Sequence, residues 1–161
     1  MENVQGWHIK RWGILGWVET VLKVAAIGVA VILFINTSGA DGLTLSGHPR
    51  LFSVILLALL TLATLGQISL RLKLKDIIAM AFAMGFLIGH LCLLIGMLRA
   101  PDVLSYPLAF GVLVLLGDVV KLRFMQVTHY TEAGVGTSGL IKLVCVILGL
   151  YGAFVAGLLV G

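Results

Sequence analysis

Charged side chains are scarce here: they make up 11% of the 161 residues. A soluble domain carries about 25% charged residues, because water must be met by charge over most of its surface. The shortage excludes an ordinary soluble surface. It also removes nucleic acid from the expected partners, since the net charge of +4 has no soluble face to sit on. Cysteine is sparse too. Cys92 and Cys145 lie singly inside apolar blocks and form no CxxC pair. Thioredoxin-like chemistry therefore has no support, and both read as small apolar residues. The sequence has no HExxH, no P-loop, no paired acidic motif for phosphoryl or prenyl chemistry, and no filter-like loop. No metal site is expected, and the residues name no cofactor.

Apolar side chains are abundant instead. They make up 60% of the chain, against roughly 45–50% in soluble domains, and they run in long blocks. A spanning helix needs about 20 mostly apolar residues to cross ~30 Å of hydrocarbon. Segments 14–35, 51–70, 77–98, 103–120 and 140–160 meet that length. In lipid only a helix satisfies its own backbone groups at that span. The expectation is an all-α membrane protein, with residues 1–161 forming one bundle of five transmembrane helices. A second reading takes Lys10, Arg11, the apolar run 24–35 and Ser38-Gly39-Ala40 as a signal cleaved after Ala40, which leaves four spans.

The breaks between blocks contain turn formers. Ser46 or Gly47 is placed to cap the helix after Pro49, and Pro101 to open the fourth helix. RLKLKD at 71–76 reads as a charged turn, and 126–139 as a polar, Gly-rich loop. Short connections predict that consecutive helices are antiparallel and adjacent. Pro107 is expected to kink the fourth helix. Lys10, Arg11, Arg71, Lys73, Lys75, Lys121, Arg123 and Lys142 fall on one side, with only Arg50 and Arg99 opposite. That asymmetry predicts a multi-pass protein with its N-terminus cytoplasmic and its C-terminus outside. Trp7, Trp12 and Trp17 cluster at the first inner boundary, as interfacial anchors do.

Small residues recur every four positions on two helices: Ala81, Gly85 and Gly89 on the third, and Cys145, Gly149, Ala153, Gly157 and Gly161 on the fifth. Such stripes let helices approach closely in lipid, either within one chain or in a homo-oligomer.

Polar groups within spans are expensive and so mark candidate sites. Glu19 and Lys23 are one helical turn apart and can pair. Asp118, Gln67, Lys142 and Asp76 fall at similar depth. Together they predict an inner vestibule with Asp118 as its acidic centre. The competing reading is interfacial: snorkelling lysines and local Glu19–Lys23 and Asp118–Lys121 pairs. His90 lies near the midplane of the third helix, with Thr61, Thr64 and Tyr151 as possible hydrogen-bond partners. A bis-His haem lacks its second ligand, since His8, His48 and His129 lie in loops or the terminus.

Two functional classes follow. One is a non-enzymatic component: a small transporter, a channel protomer, or a subunit of a larger membrane complex. The other is a small membrane-embedded enzyme or a haem- or quinone-binding protein using His90 and Asp118. They differ in whether those two side chains share one cavity.

Overall fold

The computed structural model describes residues 13–130 and 135–161, apart from the side chains of Leu70 and Leu74. Trp7, Lys10, Arg11 and Trp12 lie outside the described residues. Five helices make up the fold: α1 (Ile14–Asn36), α2 (Leu51–Leu74), α3 (Ile77–Arg99), α4 (Ser105–Thr128) and α5 (Thr137–Val160). α1, α2, α3 and α5 are long and apolar enough to cross a membrane. α4 carries Asp118, Lys121 and Arg123, yet its 24 residues match the others in length, about 36 Å at 1.5 Å per residue.

The helices close a ring in the order α1, α4, α5, α2, α3 and back to α1. α1 and α2 are not a packed pair, and neither are α3 and α4, contrary to the expectation that every consecutive pair is adjacent. The connections explain this. Residues 37–50 are long enough to cross over. Residues 100–104, at about 3.3 Å each, reach past the end of α1, with axes about 8–10 Å apart. A ring with an odd number of alternating helices must contain one parallel pair, and here it is α1 with α3. Glycines line that seam. A Cβ on Gly89 would sit 3.1 Å from Ile27 Cγ1, and one on Gly96 would sit 2.7 Å from Leu33 Cγ.

Helix ends depart from the sequence reading where charge was taken for a turn. α2 runs on through Arg71 and Lys73 to Leu74, because cations suit a helix C-terminus and their stems lie along the apolar surface. The turn is only Lys75, at φ 53°, and Asp76. The carboxylate of Asp76 accepts from the Ala79 N–H at 3.0 Å and caps α3. α4 likewise continues past Lys121 and Arg123. Arg50, not Ser46 or Gly47, is the N-cap of α2. Pro107 is the third residue of α4, in the first turn, where its missing N–H leaves no carbonyl unpaired and no kink is required.

The two ends of the ring differ. The distal end holds the C-termini of α1, α3 and α5 and is packed solid: Leu33, Leu57, Leu93, Phe110 and Phe154 are at most 1% exposed. Outward faces are apolar instead. Val21, Leu62 and Val146 are each more than 60% exposed, an inside-out pattern that suits hydrocarbon. The proximal end holds the N-termini of the same three helices and encloses polar side chains.

Candidate functional site

The proximal half of the ring encloses a cavity of about 140 Å³ lined by residues of all five helices. That is room for several waters, each needing roughly 10–15 Å³. One of its most enclosed charged groups is Lys23, on the buried face of α1. Lys23 Nζ lies 2.7 Å from Glu19 Oε1, one turn earlier on the same helix, and 2.7 Å from Asp118 Oδ1 on α4. The Lys23 side chain is 6% exposed and that of Asp118 4%, so each ion is met chiefly by its partner. Gly117 makes the crossing possible: a Cβ there would come within 3.2 Å of Lys23 Cγ. The ammonium also lies 5.9 Å from the centroid of the Phe86 ring, within range of a favourable cation–π contact.

Asp118 thus pairs across helices with Lys23 rather than locally with Lys121. Leu116 and Val119, close to Asp118 in the chain, are exposed on the lipid-facing side of α4. At 100° per residue they point away from Asp118. Lys121 instead comes 3.8 Å from Glu19 Oε1, longer than a charge-assisted hydrogen bond of about 2.7–2.9 Å. Asp118 Oδ2 is buried without a hydrogen-bond partner, leaving unneutralised acceptor capacity at the inner end of the cluster. Gln67 and Arg71 on α2 and Asp76 at the start of α3 also line the cavity.

His90 is placed differently. It is fully buried and does not line the cavity. Its Nδ1 lies 2.8 Å from the Phe86 carbonyl and its Nε2 2.5 Å from the Tyr151 hydroxyl. A carbonyl oxygen only accepts, so Nδ1 carries the proton; in the neutral ring Nε2 then accepts from Tyr151. Phe86 and Phe110 meet the imidazole edge to face. Tyr151 lines the cavity and contacts His90, so it forms the floor between the charged cluster and the sealed half. Thr61 and Thr64, the other suggested partners, donate to Leu57 O and Leu60 O of their own helix.

The remaining sequence candidates divide. Lys142 is exposed and stands apart from the cluster. On α3, Gly85 and Gly89 pack on Ile27 while Ala81 is exposed. On α5, Gly157 packs against Phe52 and Ser53 of α2; Ala153 is half-buried, and Gly149 and Cys145 face outward. Among the described residues no group of three or more His, Cys, Asp or Glu is placed to hold a metal ion.

Sequence reading missed the walls. Phe82, Phe86 and Phe124 line the cavity, but aromatics in an apolar helix give no signal of which face they take. It also missed the distal clamp. Buried His48 donates from Nε2 to Met97 O at 3.0 Å, and its Nδ1 accepts from the Arg50 N–H. Arg50 then donates to Pro101 O and Leu158 O, tying the ends of α3 and α5 to the start of α2. The chain matches no family model, no curated protein and no solved structure.

Proposed function

We propose that this is a non-enzymatic multi-pass membrane protein that holds a small polar solute in its proximal vestibule, as a transporter does. The observation carrying the proposal is the asymmetry of the ring: a polar cavity with buried charges at one end and a packed apolar seal at the other. Buried charges in a membrane helix cost several kcal/mol each even when paired, and a purely structural bundle has no need of them. The enzyme or redox alternative required His90 and Asp118 to share a cavity. His90 instead spends both ring nitrogens on hydrogen bonds and stands behind Tyr151.

The excess of Lys and Arg on the proximal side supports a cytoplasmic N-terminus, with the vestibule opening to the cytoplasm and the C-terminus outside. The test of the solute-holding role is extraction in mild detergent, followed by mass spectrometry of retained small molecules. The wild type should retain a solute that Ala83→Trp, which fills the cavity, loses. Identical small-molecule content in the two proteins would count against the proposal.

A further inference from the structure

Among the described residues the vestibule is lined by three acids, Glu19, Asp76 and Asp118, and three bases, Lys23, Arg71 and Lys121. These formal charges cancel. A ligand with net charge would bring an uncompensated ion into a low-dielectric site, which is costly. A zwitterion would not. The charges are also ordered along the axis. Lys23 and Asp118 hold the inner end, where Asp118 Oδ2 has no partner, and Glu19, one turn before Lys23 on α1, lies nearer the mouth. Lys121 lies nearer the mouth, about one turn beyond Asp118 on α4.

Glu19 and Lys121 are more accessible than Lys23 and Asp118, their side chains 14% and 25% exposed against 6% and 4%. They stand 3.8 Å apart, too far for a charge-assisted hydrogen bond with each other. Among the described residues Lys121 makes no closer polar contact. Both ions therefore keep bonding capacity toward the cavity, side by side and of opposite sign. Phe82 and Phe124 supply apolar wall beside them.

Resting on the solute-holding reading above, we infer that the vestibule takes a small zwitterion of the amino-acid type with an apolar side chain. Its ammonium lies against Glu19, its anionic group lies against the neighbouring Lys121, and its side chain lies on the aromatic wall.

Three probes sharing one carbon skeleton test this on the purified full chain: L-leucine, 3-methylbutylamine, which lacks the carboxylate, and 4-methylpentanoate, which lacks the amine. Equilibrium binding of radiolabelled L-leucine should be saturable, and the amine and the acid should compete at least about tenfold more weakly. Glu19→Gln and Lys121→Gln should each weaken L-leucine binding about tenfold or more. The comparison of probes on the wild type holds even if a variant fails to fold. Equal competition by the amine or the acid overturns the assignment, as does the absence of L-leucine binding. If L-leucine fails while Ala83→Trp still releases a retained solute, only the zwitterion assignment falls. If neither binding nor retention occurs, the solute-holding reading falls with it.

Discussion

Lys23 is the residue on which the proximal half turns. One ammonium serves two carboxylates at 2.7 Å each, on its own helix and on α4. Removing it leaves Glu19 and Asp118 as adjacent buried anions, and breaking a buried pair in this way costs about 3–5 kcal/mol. Lys23→Met should lower the thermal midpoint in detergent, and Lys23→Met with Asp118→Leu should recover most of the loss. Equal midpoints for the two variants would contradict the pairing. At the distal end, His48→Ala removes the donor to Met97 O and the acceptor for the Arg50 N–H. About 1–3 kcal/mol of stability should go with it, together with faster proteolysis in the 37–50 loop. The Glu19–Lys23 bond was legible in the sequence, because i,i+4 spacing puts both groups on one face. The bond from Lys23 to Asp118 was not, since 95 residues separate them and nothing in either helix announces which faces meet. His90 was legible as a hydrogen-bonded histidine, but Thr61, Thr64 and Tyr151 were equally plausible partners, and of these only Tyr151 meets it.

Helices were easy to find and their ends were not. Long apolar blocks announce spans, but Arg71, Lys73, Lys121 and Arg123 look like loop residues while helical geometry carries on through them. Packing between helices is decided by close approach at particular glycines. A Cβ on Gly111 would fall 2.5 Å from Val155 Cγ2 and 3.3 Å from the Phe154 ring, and β-branched Val155 has little freedom to move away. Gly111→Ala should therefore destabilise the α4–α5 contact by about 1–3 kcal/mol. Gly28 meets nothing within 4 Å, so Gly28→Ala should be neutral or stabilising by up to about 1 kcal/mol. Parallel thermal melts of the two variants check the sign of each. The four-residue spacing picked out Gly85, Gly89 and Gly157, which meet neighbouring helices, but it did not include Gly96 or Gly111 and could not say that Gly149 faces outward.

At the scale of the whole molecule, composition alone was enough to expect an all-helical membrane bundle, because so few charged residues cannot cover a water-facing surface. The ring order was hidden, because connections of 5 and 14 residues permit several neighbours. The charge asymmetry of the loops carries the proposed orientation, so adding arginines to the 37–50 loop should yield molecules with mixed orientation in a terminal-tag accessibility assay. A vestibule filled with water from the proximal side alone is the central claim. Its most direct test is single-cysteine labelling in sealed vesicles, with Cys92 and Cys145 replaced by Ala and a membrane-impermeant thiol reagent applied from each side. Ala83→Cys should react from the proximal side only, and Ser53→Cys, fully buried at the distal end, from neither. Reaction of Ala83→Cys from the distal side, or from no side, would contradict the account.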